Sequence, residues 1–334
     1  MRSIRYPAQR FTFGPVGSLL IRLLAIGPLL LFFALGTSPV WAQDDPVPDP
    51  DDPSDSAPDT VATWTYDASA RLNFSQAAYK NWEEGGGTNS LAFTAGLGGQ
   101  AARRGEHWIQ VHELRTSFGL IDQEQQEVRK AEDEIVWNSS IRYEGEGFFR
   151  LFNPTLAGDL RTQFAKGFDY TGNPFEGEVE NDPRLNLQAP VQTSAFFAPA
   201  FITQSLGLTY EPVESFTIRL GGAAKQTVVT ERDFRVLYGV SENNAVRFEA
   251  GAELASSYDK RITESIRYRS DLNVFFSFNQ TEDPPDARWE NTINLKVNDW
   301  LSTDLNFVAL FNKDITSAIQ LKETISVGVS FTLL

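Results

Sequence analysis

The sequence predicts an all-β chain, a transmembrane antiparallel up-and-down β-barrel of about twelve strands with both termini periplasmic. Three observations carry that reading. The final stretch, 324–334, alternates with period two: Ile325, Val327, Val329, Phe331 and Leu333 share one face, and Ser326, Gly328, Ser330 and Thr332 share the other. An apolar face thus backs onto a small, polar one. The same alternation recurs from Trp64 onward with almost no helical periodicity. The connections between alternating segments are by turns short and long, as in barrels with short periplasmic turns and longer external loops. A soluble β-sandwich accounts for alternation alone and has no reason to keep that order of connections.

Ahead of the barrel, 1–42 reads as a signal peptide. Arg2, Arg5 and Arg10 precede the apolar run Leu23–Leu35, and Val40-Trp41-Ala42 places small residues three and one before a cleavage point. Arg22 trims the apolar run to about 14 residues and Gly27-Pro28 interrupts it, short of the ~20 that a spanning helix needs. The chain has 334 residues and no cysteine, which excludes disulfides, thiolate metal sites, thiol catalysis and a lipoprotein anchor. Cleavage removes four arginines and no acid, moving the formal net charge from −15 to −19, a surface that repels nucleic acid. Residues 43–60, built of Asp, Pro and Ser, read as a disordered, extended acidic linker. The barrel itself occupies 61–334.

Taken in order, Trp64, Tyr66, Ala68, Ala70, Leu72 and Phe74 form the apolar face of the first strand. Leu91, Phe93, Ala95 and Leu97 mark the second. The third carries Ile109 and Val111, then Leu114, Phe118 and Leu120, and this slip of phase predicts a bulge at His112-Glu113. Ile135, Trp137, Ile141 and Tyr143 give the fourth; Phe152, Leu156 and Leu160 the fifth. Strands six to eleven follow at Ile202–Tyr210, Phe216–Leu220, Val246–Leu254, Ile266–Phe276, Ile293–Val297 and Leu301–Phe311, and the final stretch is the twelfth. Long connections fall near 77–89, 122–133, 165–197, 228–244, 279–287 and 312–318. Aromatic residues mark the short-turn ends, among them Trp64, Tyr66, Trp108, Phe148, Tyr210, Phe216, Tyr258, Trp300 and Phe331, as in an interfacial girdle.

The opposite parity of each strand supplies the lumen. It carries Arg71, Arg115, Arg142, Arg161, Arg219, Arg247, Glu249, Glu253, Arg267, Arg269 and Asp271, together with Asp67, Glu113, Glu144, Asp159, Lys225, Glu290, Lys296, Asp304 and Lys322. Facing hydrocarbon, each such charge would cost ~2 to 4 kcal/mol near the midplane, so the charged parity faces inward. Nearly balanced charge allows two readings, a salt-bridge lattice filling a narrow barrel or a transverse field across a small hydrated pore. Small residues on the same faces, such as Thr94, Gly96 and Gly98, leave space. The expectation is a narrow passive channel for small polar or ionic solutes. The alternative is a plugged barrel with a structural, adhesion or ligand-binding role through its acidic external loops.

Catalytic motifs are nearly absent. His107 and His112 are the two histidines, one beside a short turn and the other at the expected bulge. Outer-membrane phospholipases, also twelve-stranded, keep their Ser-His pair toward the external leaflet, the opposite end, so a lipid hydrolase stands as a third reading. No phosphate-loop, zinc or calcium-loop spacing occurs. The expectation is therefore no enzyme, no catalytic or metal residue and no cofactor. The expected partners are outer-membrane lipid, a small polar solute, and divalent cations at the loop acids Asp122, Glu124, Glu127, Glu132, Asp133, Glu176, Glu178, Glu180 and Asp182.

The first hairpin is more specific: Leu72-Asn73-Phe74-Ser75-Gln76, Asn81-Trp82, then Gly85-Gly86-Gly87-Thr88-Asn89-Ser90-Leu91. With Lys130–Asp133, Thr162-Gln163-Phe164-Ala165, Gly167–Tyr170, Ala198-Pro199-Ala200, Gly207–Pro212, Lys296-Val297-Asn298 and Lys322–Phe331, it resembles an uncharacterised outer-membrane β-barrel family of Gram-negative bacteria, a domain of unknown function. That resemblance runs from about Trp64 to Leu334 and implies fold and location, the cell outer membrane, rather than an activity. Asn81, Trp82, Gly85, Gly86 and Gly87 are candidates for a ligand-contacting external loop; glycines with positive φ and an interfacial Trp explain the same residues without a ligand. The largest loop, 165–197, folds inward as a constriction or outward as a flap, with Phe175, Phe196 and Phe197 available to bury.

Overall fold

The structure, a computed structural model, describes residues 63–78 and 88–333, all within the unit 60–334. The expected signal peptide, the linker and the loop candidates Asn81, Trp82, Gly85, Gly86 and Gly87 lie outside the described residues. The expected strands form as β1 (Trp64–Ala77), β2 (Ser90–Arg104), β3 (Trp108–Gln123), β4 (Arg129–Tyr143), β5 (Phe152–Thr162), β8 (Ala200–Val213), β9 (Phe216–Val228), β10 (Val246–Thr263), β11 (Ile266–Ser277), β12 (Asp286–Lys296), β13 (Leu301–Asn312) and β14 (Thr316–Thr332). Two further short strands, β6 (Gly167–Asp169) and β7 (Val191–Ser194), pair with each other inside the long β5–β8 connection. The twelve long strands close one antiparallel barrel in the order β1-β14-β13-β12-β11-β10-β9-β8-β5-β4-β3-β2. Closure is made where Ser69 to Phe74 on β1 face Thr332 to Val327 on β14.

Period two decides which way each strand faces. Leu97, Leu114, Leu156, Leu206, Leu220, Ile325 and Val327 are each among the exposed large apolar side chains of the outer wall. Their neighbours of opposite parity, including Arg71, Glu113, Arg161 and Asp304, line the interior. Toward the end where β1 begins and β14 ends, Tyr66, Trp108, Phe148, Trp300 and Phe331 are exposed on the outside. Several outward polar groups pair with one another. The Trp289 indole donates to Ser270 Oγ at 3.0 Å, the Tyr268 hydroxyl donates to Asn291 Oδ1 at 2.8 Å, and the Gln204 and Gln226 amides exchange two bonds of 3.1 Å.

Three expectations are corrected. There is no bulge at His112-Glu113: β2 and β3 pair without a break from Ser90↔Gln123 to Arg104↔Ile109. Ile109 and Val111 therefore take the inward parity of Glu113, so the slip of phase is an apolar stretch of inner wall near a turn. The register shift lies instead between Gly119 and Leu120, where β4 carries the extra Ala131. The β3–β4 and β13–β14 connections shrink to 124–128 and 313–315 because β4 starts at Arg129 and β14 at Thr316. Glu132 and Asp133 accordingly sit on a strand and not in an external loop.

At the loop end, the β5–β8 connection (163–199) packs against the β9–β10 connection (229–245). Ala198, Val229, Phe234 and Val240 form a small buried cluster with Ala195 and Tyr238 beside it. Phe175 is fully buried, whereas Phe196 is exposed. The base of the long connection is held by two of the motifs singled out in the sequence. Lys130 Nζ donates to Asp133 Oδ2 (2.8 Å), Gln163 Oε1 (3.1 Å) and the Ala165 carbonyl (3.1 Å). Asp133 in turn accepts from the Phe164 and Ala165 amides at 2.7 and 2.8 Å.

Candidate functional site in the barrel lumen

The interior is divided. Glu134 on β4 meets Arg288 on β12 at 3.5 Å, and Glu113 on β3 meets Arg269 on β11 at 3.7 Å. Each pair joins strands that lie six places apart in either direction around the barrel. The two walls therefore touch through side chains and form a waist. Arg161 on β5 also reaches Glu134 (3.2 Å), Arg115 reaches Glu113 (3.4 Å), and Arg288 reaches Glu290 (3.3 Å).

On one side of the waist, between β5, β8, β9 and β10, the lumen is packed. Asn153, Thr155, Ala157, Ser205, Thr209, Thr227, Glu249, Glu253 and the inward Phe275 are all buried. Buried charge here is paired, as burial away from solvent demands. Arg219 donates to Glu253 at 2.9 Å, Asn273 donates to the other Glu253 oxygen at 2.6 Å, and Lys225 pairs with Glu249 at 3.2 Å and also with Asp286. Arg247 joins Glu249 at 3.3 Å and Asp314. Lys225 also lies over the Phe275 ring, 5.5 Å from its centroid.

On the other side, along β1, β2, β13 and β14, runs a cavity of about 1180 Å³ that residues of the waist and of β5, β8 and β10 also line. Its lining extends from Asp67, Gln100, Asp259 and Arg267 near the termini end to Gln163, Pro199 and Tyr238 near the loop end. Five of the eleven lumen candidates, Arg71, Arg115, Arg161, Arg267 and Arg269, border this cavity. Arg71 pairs with the buried Asp304 at 2.8 Å, Arg267 grips Asp259 with two bonds of 2.8 and 2.6 Å, and Arg269 donates to Asp271 at 2.7 Å. Arg219, Arg247, Glu249 and Glu253 belong to the packed side. Arg142 stands at the termini end between Glu144 and Glu211.

The sequence reading missed Glu134 and Arg288, the residues that join the walls. Both had a legible signal: Glu134 shares its parity with Asn138 and Arg142, and Arg288 with Glu290. Starting β4 at Ile135 and β12 at Ile293 hid them. The expected cation sites fare differently. Glu132 accepts from Ser117 at 2.7 Å, Glu124 from Asn89 at 2.8 Å, and Asp182 from Arg184. Among the described residues no group of three acidic or histidine side chains is arranged to hold a metal ion. His112 Nδ1 lies 2.9 Å from Ser139 Oγ on the outer wall, beside the Trp64 ring and toward the termini end.

Residues 74–168 match the family described as "Protein of unknown function (DUF3078)". That segment contains the Lys130–Asp133 and Thr162–Ala165 motifs and spans less of the chain than the resemblance read from the sequence. No curated protein matches the chain. Among solved structures it is similar to the translocator domain of the autotransporter NalP from Neisseria meningitidis, at 9% identity and a TM-score of 0.37, covering 81% of this chain and 88% of that one. It is also similar to the COG4313 outer membrane channel from Pseudomonas putida F1, at 11% identity and a TM-score of 0.36, covering 84% and 98%. A third is the P. putida toluene transporter TodX, at 12% identity and a TM-score of 0.30, covering 83% and 90%.

Proposed function

We propose that the chain is exported by its amino-terminal 42 residues, inserts in the outer membrane with both termini periplasmic, and passes small polar or ionic solutes through a narrow lumen. The observation that carries this reading is the cavity of about 1180 Å³ lined from one end of the barrel to the other by charged and small polar side chains. The exposed apolar outer wall supports the membrane placement, since only a closed barrel satisfies every strand's backbone in lipid. Planar-bilayer recording of the purified, folded protein tests it. The expected result is discrete conductance steps whose reversal potential shifts in a salt gradient.

A second reading is favoured by the cross-lumen ion pairs and the packed side of the interior: a plugged barrel with a structural or ligand-binding role. A silent bilayer with correctly folded protein selects it over the channel.

A further inference from the structure

We infer that the waist of the lumen is a binding site for small anions carrying a carboxylate or phosphate group; this names the solute class of the channel proposed above and rests on that reading. Four guanidinium groups converge there from opposite walls: Arg115, Arg161, Arg269 and Arg288. Each of two carboxylates serves a pair of them, Glu134 Oε1 at 3.2 and 3.5 Å from Arg161 and Arg288, and Glu113 Oε1 at 3.4 and 3.7 Å from Arg115 and Arg269. Asp271 and Glu290 complete a balance of charge. Hydrogen bonding is not balanced. A guanidinium presents five N–H donors in a rigid fork, whereas a carboxylate offers about four acceptor sites.

The consequence is visible atom by atom. Arg288 Nε is buried with no hydrogen-bond partner, and Arg115 Nε and Arg161 Nη1 face Glu113 and Glu134 at 3.4 and 3.2 Å as ion pairs without hydrogen-bond alignment. No oxygen of Glu113, Glu134 or Glu290 is both buried and without a hydrogen bond. All three arginines border the cavity. What completes the cluster must bring acceptors, and an oxyanion brings them in the forked geometry that arginine takes up best. A cation at Glu113 Oε1 or Glu134 Oε1 meets the two guanidinium groups already paired with that oxygen.

The test uses the folded full barrel in detergent with radiolabelled inorganic phosphate as the probe, and planar-bilayer recording alongside. Expected are saturable phosphate binding, competition by succinate but not by glucose, and binding weakened about tenfold in both Arg115→Gln and Arg288→Gln. Arg267→Gln, at the termini end of the same cavity, retains wild-type binding. If Arg288→Gln does not fold, Arg288→Lys keeps the charge and loses the fork, and its binding is expected to fall as well. Absent binding, equal competition by glucose, or unchanged binding in the Arg115 and Arg288 variants overturns the site. Phosphate binding with a silent bilayer leaves the site standing and removes the channel; conductance without phosphate binding does the reverse.

Discussion

Glu134 and Arg288 are ion-paired at 3.5 Å although they stand on strands six places apart around a twelve-stranded barrel. A circular barrel of that size, with strands ~4.8 Å apart and tilted ~40°, is roughly 24 Å across between backbones. Fully extended Glu and Arg side chains with that gap between them reach about 16 Å from Cα to Cα. The walls bearing β3–β4 and β11–β12 are therefore drawn together. This flattening produces two lobes, one filled by buried polar residues and one open, where a round barrel of the same strand number has a single lumen.

Glu134→Gln cuts the link between the walls and leaves Arg161 and Arg288 short of a carboxylate. Both arginines keep about a quarter of their side-chain surface exposed, so solvent screens the loss, and we expect about 1 to 2 kcal/mol of destabilisation instead of the ~3 to 5 for a fully buried pair. Urea unfolding in detergent reports it. With the tie gone, single-channel conductance rises; a conductance equal to wild type shows that the waist does not limit flow.

Gly207 on β8 and Gly221 on β9 face each other across the register, inside the packed lobe. A Cβ added to Gly207 falls 2.7 Å from the Cα of Gly221 and closer still to the Leu220 carbonyl. Both neighbours are backbone and cannot rotate away. Gly207→Ala and Gly221→Ala each cost about 1 to 3 kcal/mol by overpacking. Gly222→Ala, one residue along and facing outward into open space, changes stability by less than about 0.5 kcal/mol. Equal unfolding midpoints for Gly221→Ala and Gly222→Ala contradict the packed lobe.

Parity made the barrel legible in the sequence. The charges assigned to the lumen from period two that lie on strands have the parity that the closed barrel turns inward; a one-residue slip would place Arg71 or Glu253 on the apolar wall. What period two cannot carry is distance across the barrel. Which inward charges meet depends on strand stagger and on how far the section departs from a circle, so the Glu113–Arg269 and Glu134–Arg288 contacts had no local signature. The division into lobes was equally hidden, since Arg219 of the packed side and Arg115 of the open side look alike along their strands. At His112-Glu113 a short inward apolar pair imitated a bulge, and at 129–134 an acidic strand end imitated a loop.

Asp133 ties the long connection to β4. Its side chain is almost completely buried and accepts from Lys130 and from two backbone amides. Asp133→Ala strands those amides and the ammonium group together, a loss of about 2 to 3 kcal/mol for bonds to a charged acceptor. We expect the 163–199 segment to be cut by protease in folded protein at least several-fold faster, with the barrel strands still protected. Simultaneous loss of strand protection points to a role in the barrel itself, not at the loop base.

The loop cap should also loosen in acid, with a sign set by Asp182. This carboxylate accepts from the Arg184 amide at 2.8 Å and from Arg184 Nε and Nη2 at 2.8 and 2.7 Å. Those hydrogen bonds hold its pKa at about 2, below the usual carboxylate range, and the same contacts push Arg184 upward. Arg184 continues to Glu242 and to the Asp233 carbonyl at 3.0 Å, so the clamp joins the β5–β8 and β9–β10 connections. Because the folded pKa lies below the unfolded one, the unfolded segment binds more protons as acid is added. The contribution is complete above about pH 4 and is lost as pH falls toward 2. Limited digestion with pepsin reads this directly: cleavage between 163 and 199 stays slow near pH 4 and accelerates toward pH 2, relative to the barrel strands. In Asp182→Asn the acceleration is already present at the higher pH, and a variant that keeps the wild-type pH profile shows that another acid controls the cap.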